Sequence, residues 1–351
     1  MLKKNTISIG NRNIGEGEPT FIIAELSANH NGSLENAKQI IKAASKAGVD
    51  AIKLQTYTAD TITLDCNNEY FQVIEGTIWE GRTLYDLYQE AHLPWEWHKE
   101  LIEYAKEQGL ICFSSPFDFT AVDFLEELNV PAYKVASFEI NDIRLIEYVA
   151  SKGKPVIIST GVATLGEIQE ALDACKRSNN NQIILLKCCS AYPAPMESIN
   201  LKVIPNMKET FHTVVGLSDH TMGHTVALGA VALGANVVEK HITLDRKAGG
   251  VDSSFSMEPD EFFEMVKAIR DMEKALGTIT YELTEKQIES TKYKRSLFVC
   301  EDIKEGEIFT EKHIKSIRPS NGISTKYYNQ FIGKAARYDI KKGTPVSWNM
   351  I

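Results

Sequence analysis

The chain has 351 residues, of which 43% are hydrophobic and 24% charged, and its formal net charge is −9. This composition is typical of a globular protein with a sizeable core, and it excludes collagen-like and disordered chains. The acidic balance argues against a general nucleic-acid or membrane-surface partner. The longest apolar stretch, residues 226–238, is too short to span a bilayer.

The N-terminal sequence and the cysteines indicate the compartment. Residues 1–5 lack the apolar segment of a secretory signal. The six cysteines show no CxxC spacing, so they favour reduced thiols over a zinc site or a disulfide framework. The sequence therefore predicts a cytoplasmic protein.

The first 277 residues alternate short β-branched apolar runs with amphipathic helical patterns. The predicted strands are 21–28, 51–56, 111–116, 132–138, 155–160, 182–189, 213–218 and 236–242. The predicted helices between them include 34–47, 95–108, 121–128, 142–152, 165–177 and 260–276. Eight such units predict a (β/α)8 TIM barrel, domain 1–277. A doubly wound sheet is the alternative, because counting units does not prove closure.

Two segments depart from this alternation. Residues 57–92 form a long insertion that carries the aromatic residues Tyr70, Phe71, Trp79 and Tyr85. Its position after the second strand predicts a loop covering the site. Residues 278–294 are polar and predict a linker, and residues 295–351 predict a small β-rich domain. This last segment holds 10 Lys+Arg against 6 Asp+Glu, although the whole chain is acidic. It contains a weak internal echo, residues 302–306 and 339–343.

Polar residues stand at the carboxyl ends of all eight predicted strands. Enzymes with this fold place catalysis at those ends, so the pattern predicts a ligand site there. His220 and His241 end the seventh and eighth strands, which are neighbours in a barrel. Two imidazoles so placed can bind one divalent ion, but they can equally be a hydrogen-bonded pair without a metal.

Two lysines lie within strands that should be buried. Lys53 and Lys134 would be costly there unless paired, so they are candidates for anchoring a phosphate or carboxylate. Either could instead face outward and pair with a helix carboxylate. Parity sets Lys134 on the face opposite Ser137 and Glu139, unless the strand ends or bulges there. The nearby serines could bind phosphate oxygens, but singly each is as consistent with a turn or cap. No nucleotide-binding glycine motif is present.

Six runs resemble the sialic acid synthase family: residues 23–32, 52–55, 113–117, 133–137, 216–220 and 238–241. Residues 296–351 are similar to its antifreeze-like (SAF) domain. The resemblance implies a (β/α)8 barrel that condenses phosphoenolpyruvate with an open-chain amino sugar to give a nine-carbon 2-keto acid. It also implies a divalent metal ion (Mn²⁺ before Mg²⁺ or Co²⁺) and a domain-swapped homodimer in which the antifreeze-like domain caps the partner's barrel.

The resemblance also implies roles for single residues. It makes His220 and His241 the metal ligands, and Glu25, Lys53, Lys134 and Glu139 the catalytic residues. The substrate-binding residues that it implies are Gln55, Ser115, Ser137, Ser159, Ser190, Tyr192, Ser218, Asp252 and Arg318. Arg318 would reach the neighbouring active site, although a lone arginine in a turn is otherwise read as a surface residue. The implied metal is a Lewis acid on the sugar aldehyde, and Glu25 would deprotonate the attacking water.

Two sequence runs narrow the choice of sugar substrate within the family. Residues 24–32 and 137–140 resemble the pseudaminic acid synthase branch, whose substrate is 2,4-diacetamido-2,4,6-trideoxy-altrose. Phe138 replaces a glycine of the N-acetylneuraminate and legionaminate branches, and Ser190 replaces an asparagine of the N-acetylneuraminate branch. The alternatives are another nonulosonate synthase of the family or, in a different class, a non-catalytic glycan-binding protein.

Overall fold

The computed structural model describes residues 5–73 and 76–351, and the chain divides into two compact units, Met1–Gly277 and Thr278–Ile351. Part of the N-terminal segment searched for a secretory signal and two residues of the predicted insertion therefore lie outside the described residues. None of the described helices is long and apolar enough to cross a membrane.

An antiparallel hairpin begins the first unit, with strand β1 at Thr6–Ile9 and strand β2 at Arg12–Gly15. Its isoleucines are buried in the same core as Phe21, at the amino end of the first barrel strand. Asn236 donates to the carbonyl oxygen of Gly15 at 3.0 Å and so ties the hairpin to that end of the barrel. The sequence pattern did not predict this hairpin, because two four-residue strands are too short to show periodicity.

Eight parallel strands then close into a barrel, with the last strand paired to the first. They are β3 Phe21–Glu25, β4 Ala51–Thr56, β5 Ile111–Pro116, β6 Tyr133–Val135, β7 Val156–Ser159, β8 Ile183–Cys188, β9 Val214–Asp219 and β10 Val237–His241. Nearly every residue in them is buried, as expected for strands covered on both faces. The predicted (β/α)8 barrel is confirmed, and the doubly wound alternative is wrong.

The helices of the first unit follow the predicted order. They are α1 Leu34–Ala47, α2 Ala59–Ile62, α3 Leu84–Ala91, α4 Trp95–Glu107, α5 Phe119–Glu127, α6 Ile143–Ser151, α7 Leu165–Arg177, α8 Val203–Phe211, α9 Thr225–Ala232 and α10 Pro259–Leu276. Their ends have local causes. Ser33 accepts a hydrogen bond from the backbone N–H of Asn36 and starts α1, and Gly48 ends it with a left-handed φ of 84°. Helices α2 and α3 lie within the predicted insertion.

Strand β6 is shorter than the sequence pattern predicts. It ends at Val135, and Ser137–Glu139 forms a single 3-10 turn. The alternation of side chains therefore stops after Lys134, so the face of Ser137 and Glu139 is no longer set by strand parity. The apparent mismatch between Lys134 and its neighbours has this local cause.

The second unit has its own hydrophobic core around Leu297, Phe309 and Phe331. Its elements are α11 Glu285–Ser290, β11 Ser296–Val299, β12 Ile314–Ile317 and α12 Tyr328–Phe331, and β11 pairs with β12 antiparallel. Helix α11 lies within the polar segment predicted as a linker.

The two similar segments of the second unit, residues 302–306 and 339–343, pair with each other. Ile303 and Ile340 exchange backbone hydrogen bonds of 3.0 and 2.8 Å. Lys304 lies 2.6 Å from Asp339, and Lys341 lies 2.7 Å from Asp302. The two similar segments thus contact each other through matching ion pairs, which gives the repeat a physical reason.

Candidate active site

A cavity of about 580 Å³ opens at the carboxyl ends of the barrel strands. Its floor is formed by residues at the ends of β3, β4, β6, β7 and β10 and after β8 and β9. Its rim includes residues of α2 and α3 in the insertion. Predicted site residues that line it are Glu25, Lys53, Gln55, Lys134, Ser137, Glu139, Ser159, Ser190, Tyr192, Ser218, His220, His241 and Asp252. The structure therefore brings together thirteen residues from across 228 positions of sequence.

The remaining two predicted residues lie elsewhere. Ser115 is buried on β5, where the register sets it beside Gln55, but it does not line the cavity. Arg318 lies in the second unit, exposed after the end of β12, and its peptide bond to Pro319 is cis.

Strand register explains why buried charges meet at the cavity floor. His241 pairs with Glu25 across β10 and β3, and Glu25 pairs with Lys53 across β3 and β4. Glu25 Oε2 consequently lies 3.1 Å from His241 Nε2 and 3.0 Å from Lys53 Nζ. Gln55 Nε2 donates to Glu25 Oε1 at 2.8 Å. Burial alone would raise the pKa of Glu25, but Lys53 and His241 hold it well below its usual value, so Glu25 is ionised.

Glu239 completes the charged floor, although the sequence analysis gave it no role. Its Oε1 lies 2.9 Å from Lys53 Nζ and 3.6 Å from Lys134 Nζ, and it accepts a hydrogen bond from Ser218 at 3.1 Å. The signal was available, because strand alternation sets Glu239 on the same face as His241.

The two lysines differ in how well they are neutralised. Burial would lower the pKa of Lys53, but the carboxylates of Glu239 and Glu25 raise it. Burial does lower the pKa of Lys134, whose nearest carboxylate oxygen is the shared one at 3.6 Å. Lys134 is therefore a buried cation with an incomplete partner, and an added anion would stabilise its charge.

Most of the unpartnered buried polar atoms belong to residues at the cavity. Among the described residues, six buried side-chain atoms have no hydrogen-bond partner: Ser115 Oγ, Glu139 Oε2, Ser159 Oγ, Thr213 Oγ1, Glu239 Oε2 and His241 Nδ1. Four of them belong to residues that line the cavity. A buried polar group without a partner costs about 1–3 kcal/mol, so the floor is built for a polar ligand.

A glycine lets two serines approach each other beside Lys134. Ser190 Oγ donates to Ser137 Oγ at 2.9 Å. A Cβ on Gly161 would lie 2.2 Å from Ser190 Oγ and 2.5 Å from Ser137 Oγ, so only glycine leaves this space open. Sequence reasoning missed Gly161, because a glycine after a strand is an ordinary turn residue.

The rings of the two predicted metal ligands lie edge to face, with centroids 5.3 Å apart and an interplanar angle of 75°. His220 Nδ1 donates to the carbonyl oxygen of Cys189 at 3.0 Å, so Nε2 is the ring nitrogen available to bind a metal. His241 Nδ1 is buried without a partner. A hydrogen bond from the other ring nitrogen is the usual support of a metal-binding histidine, so the pair fits a divalent ion.

The protein supplies few further ligands. Within the described part of the chain, no three His, Cys, Asp or Glu side chains form a metal-binding group. A metal held by His220 and His241 would therefore keep positions for water or substrate.

Glu139 has the titration expected of an acid–base group. Its Oε2 is buried and unpartnered, and burial raises its pKa to about 7 against the opposing charge of Lys134. Glu25 and Glu139 thus line one cavity with pKa values shifted in opposite directions. Such a separation is how enzymes assign one carboxyl as base and another as acid.

The upper wall of the cavity is apolar. Ile62, Val73, Leu84 and Leu87 of the insertion line it. Trp79 donates to the carbonyl oxygen of Val251 at 2.8 Å and so joins the insertion to the barrel mouth.

Tyr192 joins this wall to the histidines. Its ring centroid lies 5.7 Å from that of Trp79 and 4.4 Å from that of His220. Burial raises the pKa of its hydroxyl, so Tyr192 stays neutral. On the opposite side Asp252 accepts a hydrogen bond from Ser27, another residue that sequence reasoning missed.

Comparisons with known proteins agree with this geometry. Residues 40–281 match the NeuB family, and residues 294–351 match the SAF domain. A pseudaminic acid synthase of Campylobacter jejuni is 48% identical over 337 residues, covering 96% of this chain and 97% of the relative. A pseudaminic acid synthase of Helicobacter pylori is 45% identical over 331 residues, covering 94% and 97%.

A solved structure shows the same fold. The N-acetylneuraminic acid (sialic acid) synthetase of Leptospira borgpetersenii serovar Hardjo-bovis, crystallised in complex with citrate, is 33% identical with a TM-score of 0.73. The match covers 82% of this chain and 95% of that one. The family match spans more than half of the sequence, and the relatives are matched over nearly their full length. The chain therefore belongs to the NeuB family, the family of sialic acid synthases, and ends in a SAF domain.

Proposed function

We propose that this protein condenses phosphoenolpyruvate with the open-chain aldehyde of 2,4-diacetamido-2,4,6-trideoxy-β-L-altropyranose. The products are a nine-carbon 2-keto sugar acid and phosphate, so the enzyme is a transferase. The observation that carries the proposal is the incompletely neutralised Lys134 among unpartnered buried groups. The choice of sugar rests on the two pseudaminic acid synthases at 48% and 45% identity.

The phosphoenolpyruvate site is assigned to the charged floor. Lys53 and Lys134 supply the only positive side chains among the described residues that line the cavity, apart from the histidines. Ser137, Ser159 and Ser190 supply hydroxyl groups beside them. Binding an anion here completes the neutralisation of Lys134 and holds the enol carbon in one orientation, which lowers the entropic cost of the reaction.

The two carboxyl groups divide the proton transfers. Carbon 3 of phosphoenolpyruvate forms a bond to the aldehyde carbon, and protonated Glu139 donates its proton to the aldehyde oxygen. Water then adds to carbon 2 while ionised Glu25 accepts its proton. The carbon–oxygen bond to phosphate then breaks, the remaining hydroxyl proton on carbon 2 passes to the departing phosphate, and carbon 2 becomes the ketone.

The metal part of the proposal rests on the histidine pair. His220 and His241 would hold a divalent ion, Mn²⁺ before Mg²⁺ or Co²⁺, with remaining positions for water or substrate. When bound, the ion would polarise the sugar aldehyde as a Lewis acid. The hydrogen bond from His220 to Cys189 and the unpartnered His241 Nδ1 support this assignment.

The sugar part rests on the apolar wall. The deoxy carbon and the acetamido methyl groups of the proposed sugar are apolar, and a chain whose aldehyde points to the floor extends toward the insertion. Leu84, Leu87 and Val73 line that side. A fully hydroxylated chain would leave hydroxyl groups against these side chains without partners.

We also propose a domain-swapped homodimer in which Arg318 from a second copy of the chain completes the site. Arg318 is exposed in the second unit and follows a strand end, so it is available to an anionic ligand. A planar guanidinium suits a carboxylate or phosphate.

The test is phosphate release from phosphoenolpyruvate with Mn²⁺ and a panel of acetamido sugars, followed by mass spectrometry of the product. We expect release with the 2,4-diacetamido-2,4,6-trideoxy sugar above N-acetylmannosamine. H220A should lose activity, whereas H212N, which changes an exposed histidine at the amino end of the same strand, should keep it. No release with any sugar, together with measurable glycan binding, would establish the binding-protein alternative instead.

A further inference from the structure

A buried ion pair lies on the outer face of the barrel wall, directly behind the two histidines. The register of β9 and β10 sets Asp219 beside Lys240. Alternation along β10 turns His241 toward the cavity and Lys240 to the opposite face. Lys240 Nζ lies 2.8 Å from Asp219 Oδ2, and the two residues are 1% and 2% exposed.

Thr221 extends this pair to the turn that carries His220. Asp219 Oδ1 accepts hydrogen bonds from the backbone N–H of Thr221 at 2.9 Å and from its hydroxyl at 2.8 Å. Lys240 Nζ donates to the carbonyl oxygen of Thr221. The turn 219–221 is thus fixed to the end of β10. His220 is the middle residue of that turn, and His241 directly follows Lys240.

We infer that Asp219, Thr221 and Lys240 are positioning residues that hold His220 and His241 at the separation needed to bind one divalent ion. The inference rests on the proposed function for the metal but concerns residues outside the cavity. The chain between His220 and His241 begins at Thr221 and ends at Lys240, and the network bonds these two residues to each other. A change in the network therefore moves one ring relative to the other.

A purely stabilising role is the weaker interpretation. Buried ion pairs contribute little net stability compared with apolar side chains of similar volume, because both charges must be desolvated. What an apolar pair cannot do is bond both the N–H and the carbonyl of Thr221. The hydrogen bonds are directed at the turn that carries a ligand, so their specific effect is on the position of His220.

The test compares variants of this network with a partly buried ion-pair network at the other end of the barrel. Asp50, at the amino end of β4, contacts Arg12 and Arg270 and accepts the backbone N–H of Ile22 at 2.8 Å. D50N removes a charge from a network of similar connectivity far from the histidines. It is therefore the matched control for D219N and K240M.

Three measurements on the full-length protein separate the roles: Mn²⁺ affinity by equilibrium dialysis, thermal unfolding of the metal-free protein, and phosphoenolpyruvate binding without metal. We expect D219N and K240M to raise the Mn²⁺ dissociation constant about tenfold or more, the range seen when outer-shell partners are removed. Phosphoenolpyruvate binding should change less than twofold. D50N should lower the unfolding temperature without changing Mn²⁺ affinity.

Two further variants keep the inference testable if D219N or K240M does not fold. The double variant D219L/K240M replaces both charges with apolar groups and should restore the fold but not Mn²⁺ affinity. T221V removes only one hydroxyl and should weaken Mn²⁺ about threefold. A folded K240M or D219L/K240M with unchanged Mn²⁺ affinity overturns the inference and leaves the proposed function intact. A wild-type protein that binds no divalent ion overturns both.

Discussion

The two ends of the barrel carry cavities of nearly equal size but opposite chemistry. The amino-end cavity has a volume of about 590 Å³ and is lined by charged residues including Glu16, Lys208, Arg270 and Glu273. Those charges are paired: Arg270 lies 2.9 Å from Glu273 and 3.2 Å from Asp50, and Lys208 lies 3.5 Å from Glu16. The partner of each of these four charges is thus part of the protein.

In the carboxyl-end cavity, by contrast, several buried polar atoms have no hydrogen-bond partner. Four unpartnered buried atoms belong to Glu139, Ser159, Glu239 and His241, which line it. Among the described residues, only Thr213 Oγ1 is unpartnered near the amino end, and it lies outside the lining of that cavity. Volume therefore does not distinguish a site from a gap between elements here, whereas incomplete hydrogen bonding does.

The largest effect should come from removing one cation from each end of the barrel, Lys134 at the carboxyl end and Arg270 at the amino end. K134M should lower phosphate release at least a hundredfold, since the anion loses its buried partner, a change of about 3 kcal/mol or more. Its unfolding free energy should change little, because burial already disfavours the charge of Lys134. R270M should show the reverse: full activity, and stability lower by about 1–3 kcal/mol through lost contacts to Asp50 and Glu273.

Steady-state phosphate release and urea unfolding of both variants check this pair. If R270M lost activity while remaining folded, or if K134M retained it, the amino and carboxyl ends would not differ in the way proposed.

A smaller effect should come from filling space at the carboxyl end without removing any polar group. G161A places a methyl group against Ser137 and Ser190, so their hydroxyls must rotate away from the phosphoenolpyruvate site. We expect the KM for phosphoenolpyruvate to rise about tenfold, the loss of one hydrogen bond to a charged group. The matched control is G166A in the first turn of α7, where the nearest atom is 3.9 Å from the added Cβ. It should leave KM unchanged and slightly stabilise the helix.

The barrel could be predicted from the sequence because its cause is local and repeated. Strands β4 and β5 and helices α1 and α7 have the predicted bounds, because apolar runs mark the strands and periodicity with capping residues marks the helices. The hairpin β1–β2 escaped prediction because it is stabilised by packing against residues far along the chain. Periodicity within four-residue strands cannot report such contacts.

The site could be predicted in part for the same reason. Residues that end strands, such as Glu25 and His241, were found because the fold brings strand ends together. Gly161 and Ser27 were not, because their importance lies in the space beside Ser190 and in the contact with Asp252. The fit between Lys53 and Glu239 depends on register across the closed barrel, which only the three-dimensional structure shows.

The insertion is a further difference between the two ends of the barrel, because it adds an apolar wall only at the carboxyl end. L84N puts an amide where we place the apolar groups of the sugar, and kcat/KM for the 2,4-diacetamido-2,4,6-trideoxy sugar should fall about fivefold, as for a lost partial apolar contact. Phosphoenolpyruvate affinity should not change. L64N alters an exposed leucine of the same insertion that does not line the cavity, and it should have no effect. Equal losses in both variants would assign the effect to the insertion's folding.

The smallest effect should be on the pH dependence of stability, where Glu139 and Glu126 are expected to contribute with opposite signs. Burial raises the pKa of Glu139 at the carboxyl end to about 7, so the folded protein holds a proton there that the unfolded chain releases near pH 4.5. Its contribution to stability is therefore present below pH 4.5 and is lost as pH rises to about 7. At the amino end, burial would raise the pKa of Glu126, but hydrogen bonds from Tyr133 and Lys154 lower it. Its contribution is lost as pH falls through the lowered pKa.

Urea unfolding between pH 3 and pH 8 measures both contributions. E139Q should remove a decline in stability between pH 4.5 and pH 7, whereas E126Q should remove a decline on the acid side. The sign follows from which state binds more protons. The two ends differ because the partners of Glu126 outweigh its burial, whereas burial of Glu139 outweighs the opposing charge of Lys134. A pH profile of E139Q that parallels the wild type would show that Glu139 has a partner in solution, and the contrast between the two ends would fail at that residue.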